Sequence, residues 1–459
     1  MTFHNFCRSF FIAALGLTGV TSCTHDARPL EERLQSALDK SLRRCDVKGG
    51  SVAIVFPDET VWRGVSGVSH GTVKMSPDMS FAIGSITKNM VATLVLQLAE
   101  EGRLSLEDPI SRWLPRYPHV DDAITIRQLL NHTSGLFMFW DNQQIWDDLI
   151  RDRTRTFTPE EVLGYLKEPY FAPGQGYRYS NTGYLLAAMI ITRATGSTLS
   201  AEMRKRFWEP LGLSSACLPP EQPYPRNLAH VWGWNFEKDG AYRDVTFLPR
   251  TSHDTITYGS AGVFMTAEDL ARWTHALFHE RVISGASVAQ MQAFAAPTSH
   301  GLGLDRLGRK VAGRVYAVGH GGANIGTSAY MVYLPDHDVS MSAMINHFGG
   351  ACPALIVREL AQITAFSLKP ESVFDLLLRA EGLLCGLWLL AGLGAIILAI
   401  RKNRPWFLMS FGSFAMAAGW VSGKTSMPLD GVLLPEGAAI LALGAVMFLR
   451  SFVLRLGKR

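Results

Sequence analysis

The chain has 459 residues, 47% hydrophobic and 18% charged, with a formal net charge of +4. A charged fraction below the ~25% of an average soluble protein, with a mean hydropathy of +0.10, excludes disorder and points to segments too apolar for water. Residues 371–459 hold nine Lys/Arg against five Asp/Glu, which leaves 35 of each in residues 1–370; a balanced body with a basic tail is not the footprint of a nucleic-acid binder.

In chain order, the apolar run Phe10–Val20 is too short to span a bilayer, which needs about 20 residues. It follows a weakly basic start, the build of a secretory signal. It ends in Val20-Thr21-Ser22-Cys23. These residues resemble the lipobox of bacterial lipoproteins, which implies a signal peptide over 1–22 and a diacylglyceryl thioether on Cys23. Residues 23–368 read as one continuous domain. Leu30–Arg44 has the pattern of an amphipathic helix. Ser51–Phe56 and Thr60–Gly67 alternate like strands around the Pro57-Asp58 turn. Phe81-Ala82-Ile83-Gly84 leads into a helix from Ser85 to about Gly102, with Val91, Leu94, Val95 and Leu98 on its apolar face. The middle, about 105 to 250, is rich in Pro, Trp and helical fragments. Gly319–Ala323 reads as a tight backbone stretch ahead of the strands Tyr330–Leu334 and Val339–Ile345, and Ala354–Phe366 closes as a helix. Strands at both ends of a helical middle give an α/β fold: an antiparallel sheet flanked by helices, with an inserted helical subdomain. Cys45, Cys217 and Cys352 are odd in number and unclustered. This argues against a disulfide framework or a zinc site, and leaves room for one pair.

After a linker over 369–381 come three apolar stretches, Gly382–Ile400, Trp406–Ser422 and Val432–Leu449, each long enough to cross a membrane with little tilt. Arg401, Lys402 and Arg404 follow the first, and Arg450, Arg455, Lys458 and Arg459 follow the third. By the positive-inside rule both clusters are cytoplasmic, so the body faces outward from an inner membrane and the C-terminus lies inside.

Three motifs carry chemistry. In Ser85-Ile86-Thr87-Lys88 the spacing of three puts the lysine on the same helical face as the serine. There it can take the hydroxyl proton that a weak serine nucleophile must lose. Tyr179-Ser180-Asn181 offers a proton shuttle, provided a nearby lysine lowers the tyrosine, and a carboxamide for substrate or amine. Gly319-His320-Gly321-Gly322-Ala323 lets backbone approach a ligand closely. Taken singly, each has an ordinary structural explanation. Their order, S-x-x-K, Y-x-N, H-G-G, resembles the superfamily of serine β-lactamases and penicillin-binding proteins, in particular its class C-like serine hydrolases. Leu129–Leu136, Tyr179–Tyr184, Ser260-Ala261-Gly262 and Thr266–Leu270 match as well, so the likeness covers about residues 30 to 368.

The resemblance implies a β-lactamase/transpeptidase-like fold; the three transmembrane helices expected from the apolar tail lie outside it. It implies Ser85 as acyl-accepting nucleophile, with Lys88 and Tyr179 sharing general-base and proton-shuttle duties. Asn181 would hold Lys88 and substrate, and the N–H groups of Ser85 and Ala323 would form an oxyanion hole. No metal or organic cofactor is implied. His320-Gly321-Gly322 stands where β-lactamases carry Lys-Thr-Gly, so the fixed charge and hydroxyl that hold an antibiotic's carboxylate are absent. The expectation is an envelope-facing, membrane-anchored serine hydrolase acting on an ester or amide: a peptidoglycan-derived peptide, a D-amino-acid amide or a small ester. A true β-lactamase and a non-catalytic binding or sensor protein are the rivals.

Overall fold

Alternating segments from both ends of the body pair into one sheet. The computed structural model describes residues 28–234, 242–294, 298–308, 315–349 and 351–368. The chain divides into two units, Met1–Lys369 and Pro370–Arg459. The signal stretch with Cys23, the linker and the three C-terminal spans lie outside the described residues.

The strands are β1 (Gly49–Val55), β2 (Val61–His70), β3 (Val73–Lys74), β4 (Phe81–Ala82), β5 (Trp232–Trp234), β6 (Tyr242–Asp244), β7 (Phe264–Met265), β8 (Asp305–Arg306), β9 (Val318–Asn324), β10 (Thr327–Leu334) and β11 (Val339–Ile345). Seven form the main sheet in the order β3-β2-β1-β11-β10-β9-β8, with every neighbouring pair antiparallel. The β1–β11 pair joins the two ends of the body, from Gly50 opposite Ile345 to Val55 opposite Ser340.

Side chains alternate across a strand, so each central strand feeds two cores. Val52, Ile54, Met341, Ala343 and Ile345 face Leu34 and Leu38 of α1 (Leu30–Cys45) and Ile356, Val357 and Leu360 of the last described helix, Ala351–Leu368. Ala53, Val55 and Met344 join the larger core on the other face, where Ser342 Oγ donates to Ala267 O at 2.6 Å. Two covered faces leave every residue of β1 and β11 buried. Each buried large aliphatic side chain contributes about 1.5–3 kcal/mol relative to exposure. Among the described residues, Ala351–Leu368 alone is long and apolar enough to cross a membrane, and Ile356, Val357, Leu360 and Ala361 bury it against the sheet.

Between the two halves of the sheet lies the helical lobe. It includes α2 (Thr87–Glu100), α3 (Ile126–Leu130), α4 (Gln143–Arg151), α5 (Pro159–Leu163), α6 (Asn181–Thr195), α7 (Leu199–Met203), α8 (Thr251–Ile256), α9 (Ala267–Phe278) and α10 (Gly285–Met291). Three sequence expectations need correction. The stretch around His320 is itself a strand, β9; its glycines have no side chains to show alternation. The helix after Gly84 opens as a 3-10 turn, Gly84–Ile86, before α2 begins. That helix is buried on nearly every side, from Thr87 to Leu96, because the sheet and the other helices of the lobe cover it. Cys45 and Cys352 form a disulfide with Cα atoms 5.7 Å apart, tying α1 to the final helix, and Cys217 is free.

Candidate active site

The nucleophile's turn is held from two sides. β4 pairs with β7, Phe81 opposite Met265, and Ile83 N continues that contact by donating to Val263 O at 2.9 Å. Gly84 then turns with φ +57°. A Cβ there would lie 2.5 Å from Ala323 N, and one on Gly322 would lie 2.0 Å from Ile83 O and 3.0 Å from Ser85 N. Only glycine permits this approach. It presses the Ser85 turn against β9, so the N–H groups of Ser85 and Ala323 belong to one small region, as an oxyanion hole requires.

Lys88 sits one helical turn on and is fully buried. Its Nζ lies 3.0 Å from Ser85 Oγ and donates to Ser260 O at 2.7 Å. The rings of Tyr179 and Tyr184 stand 4.9 and 5.6 Å away. Burial holds the amine well below the usual lysine range, against an opposing pull from Asp305. A lysine so placed offers a lone pair to the serine hydroxyl.

Burial pushes the Tyr179 phenol up and outweighs Ser85, which draws it down. A phenol raised in this way keeps its proton and is equipped to give one rather than to act as the base. Asn181 opens α6, where Ser180 Oγ caps the helix by accepting from Gly183 N at 3.1 Å. Its Oδ1 is buried with no hydrogen-bond partner among the described residues. The expected grip on Lys88 is not seen; the Ser260 carbonyl takes that place.

His320 lies on β9 opposite Met331 and is only 3% exposed. Its Nδ1 faces Gly321 O at 2.5 Å. A carbonyl only accepts, so Nδ1 carries the proton and Nε2 carries the lone pair. Burial lowers the ring's pKa, and Nε2 is buried with no partner among the described residues. The residue therefore holds a buried acceptor, not a cation. Gly321 leaves room for the Tyr330 ring, which a Cβ would meet at 2.9 Å.

Three groups escaped sequence reasoning. His132 is buried, accepts from Ser180 N through Nδ1 at 3.1 Å, and lies 4.4 Å from the Tyr179 ring, so it fixes the start of α6 and the tyrosine before it. Asp305 pairs with His300, whose ring stacks on Tyr177 at 4.9 Å. Its negative charge reaches Lys88, Tyr179 and His320. The signal was the Gly301-Leu302-Gly303 run. Gly303 has φ +63°, a Cβ there would lie 2.8 Å from Lys88 O, and Asn89 Nδ2 donates to its carbonyl at 3.1 Å. The run lays the Asp305 segment directly against the first turn of α2.

Comparison with known proteins agrees with this geometry. The sequence profile of the family described as Beta-lactamase matches residues 34–365. A penicillin-binding protein of Bacillus subtilis (strain 168) is 29% identical over 288 residues, 58% of this chain and 60% of that protein. Esterase EstB of Burkholderia gladioli is 31% identical over 284 residues, 56% of this chain and 72% of that protein. The crystal structure of a D-stereospecific amidohydrolase from Streptomyces sp. superposes with a TM-score of 0.62 at 26% identity, covering 75% of this chain and 100% of that one. The match thus spans 60% of the Bacillus protein's length. With Ser85, Lys88 and Tyr179 gathered on this fold, the chain belongs to the β-lactamase family of the serine β-lactamase and penicillin-binding-protein superfamily, a family of serine hydrolases.

Proposed function

We propose that the protein hydrolyses amides or esters through an acyl-enzyme on Ser85, and that its substrates are neutral or carry a positive charge near the scissile bond. The observation that carries this is the buried Lys88 Nζ, 3.0 Å from Ser85 Oγ. Ser85 Oγ adds to the carbonyl carbon while its proton passes to Lys88. The carbonyl oxygen, now negative, is received by the N–H groups of Ser85 and Ala323. The bond to the leaving amine or alcohol breaks as Tyr179 hands it a proton, which Lys88 replaces. Water then adds to the acyl carbon, and its proton returns along the same route, releasing acid and free Ser85.

Substrate class follows from charge. Neutral His320 offers an acceptor, and Asp305 adds a negative field, a pairing that suits an N–H or ammonium group and disfavours a carboxylate. Amino-acid amides, short peptides and small esters fit; the amidohydrolase and esterase among the similar proteins support the same class. The signal stretch, Cys23 and the three apolar tail segments support an anchored protein with this domain outside the cytoplasm. The Cys45–Cys352 disulfide suits an oxidising compartment. Full-length protein in detergent is tested on a D-amino-acid anilide, a p-nitrophenyl ester and a chromogenic cephalosporin, with Ser85→Ala as control. Turnover of the first two that vanishes in the variant is expected. A cephalosporin hydrolysed faster than both would select the β-lactamase reading instead.

A further inference from the structure

At the far end of the sheet from Ser85 a second cluster has no part in this chemistry. Gly322 and Ala323 beside the nucleophile pair with Ala329 and Ser328 at the start of β10; the β10–β11 turn lies beyond Leu334, about 20 Å along the strand at its rise per residue. There His275 and His279, on and just after the last turn of α9, meet Asp338 of that turn. Each offers one ligand atom, and the three atoms lie within 4.8 Å of one another.

We propose that His275, His279 and Asp338 bind a divalent transition-metal ion of zinc type.

Three observations carry the assignment. First, His279 Nδ1 faces His275 O at 2.8 Å. The carbonyl only accepts, so Nδ1 is the donor and Nε2 is left to face the carboxylate of Asp338, at 3.1 and 3.3 Å from its two oxygens. A bound ion between Nε2 and the carboxylate satisfies both, in place of the proton of an imidazolium. Ligands about 2.0–2.1 Å from a tetrahedral ion stand about 3.3 Å apart. Second, His275 is 4% exposed, and neither ring nitrogen has a hydrogen-bond partner among the described residues. Buried imidazoles are rarely left in this state, and its ring stacks on that of His279 at 3.8 Å. Third, the supporting contacts of a metal centre are in place. The His275 carbonyl orients His279, and Tyr333 donates its hydroxyl to Asp338 Oδ1 at 3.0 Å, the pattern that fixes ligand orientation around bound ions. The nearest further charges, Glu59 and Arg281, pair with each other.

Two imidazoles and one carboxylate select zinc, nickel or copper over magnesium and calcium, and leave a fourth position for water. The ion would tie the end of α9 to the β10–β11 turn, a structural link remote from Ser85.

The test is cobalt(II) titration of the chelator-treated full-length protein, read by ligand-field absorption, with zinc as competitor. One equivalent of cobalt in a tetrahedral-type spectrum, displaced by zinc, is expected. His275→Gln and Asp338→Asn should each weaken binding at least ~10-fold, with circular dichroism unchanged. Asp338 is half-exposed, so its variant serves should His275→Gln fail to fold. Wild-type protein that binds no cobalt at micromolar concentration, or an Asp338→Asn variant that binds it as tightly as wild type, would overturn the assignment.

Discussion

Replacing Lys88 by methionine separates its chemistry from its packing. Methionine fills a similar unbranched volume, but it takes away the amine 3.0 Å from Ser85 Oγ and the bond to Ser260 O. General-base assistance contributes about 10²–10⁴ in rate, or about 3–5 kcal/mol of barrier; kcat/KM should fall by that factor. Stability should move little. Leaving the Ser260 carbonyl unpaired costs about 1–3 kcal/mol, and this is offset because an ionisable group no longer has to be buried. Lys88→Arg should not restore activity, since a guanidinium stays charged and cannot accept a proton. The pH dependence has a definite sign. Burial lowers the folded lysine below 10.5, so the active neutral form grows as pH rises through that lowered value, and wild-type rate rises with it. In the window between the folded value and 10.5 the unfolded chain binds more protons than the folded one. Stability attributable to Lys88 therefore rises with pH there, and the variant loses that slope. The assay is hydrolysis of a chromogenic amide from about pH 6 to 9 alongside thermal melts. A folded Lys88→Met protein that keeps more than about a third of wild-type kcat/KM, or a wild-type rate that falls as pH rises through this range, would refute the assignment of the base.

Other perturbations have equally definite outcomes. Gly322→Ala puts a methyl 2.0 Å from Ile83 O, so β9 must withdraw from Ser85; acylation should slow at least ~100-fold, and single-turnover kinetics would expose a wrong account by showing wild-type rates. The Cys45–Cys352 bridge closes a sequence separation of 307, so Cys45→Ser with Cys352→Ser should cost about 4 kcal/mol in urea unfolding while the Michaelis parameters at 25 °C hold; an unchanged midpoint would contradict it. Asp254 is fully buried, and although burial raises its carboxyl, the charge of Arg250 and the bond from His253 bring it down to about 2. Its contribution is complete above the unfolded carboxylate value and is lost as pH falls towards about 2. Asp254→Asn should cost about 3–5 kcal/mol because it strands a buried Arg250, and a melting temperature within a degree of wild type would rule that out.

The sequence made some of this plain and hid the rest for physical reasons. Ser85 and Lys88 were legible because a spacing of three on a helix is a local rule. The β1–β2 and β10–β11 hairpins were legible because Val, Ile and Met alternate through them. β9 was not, since Gly319, Gly321 and Gly322 leave no side chains to alternate. His300 and Asp305 read as ordinary polar residues; they join the site through the approach of Gly303 to α2, for which the Gly301-Leu302-Gly303 run was the one local signal. The disulfide was open as one pairing among three cysteines, and the contact of α1 with the final helix selects it. Tyr179 was expected to shuttle protons on condition that a lysine lower it, and to share the base's duty with Lys88. Burial raises the phenol instead, so that condition is not met.

The most direct test of the central claim is intact-mass and peptide-level mass spectrometry after brief exposure to a fluorophosphonate or a D-amino-acid ester. The account predicts a single stoichiometric adduct on the peptide containing Ser85, absent in Ser85→Ala and formed far more slowly in Lys88→Met. Hydrolysis that proceeds with no adduct on Ser85, or that survives in Ser85→Ala, would contradict it.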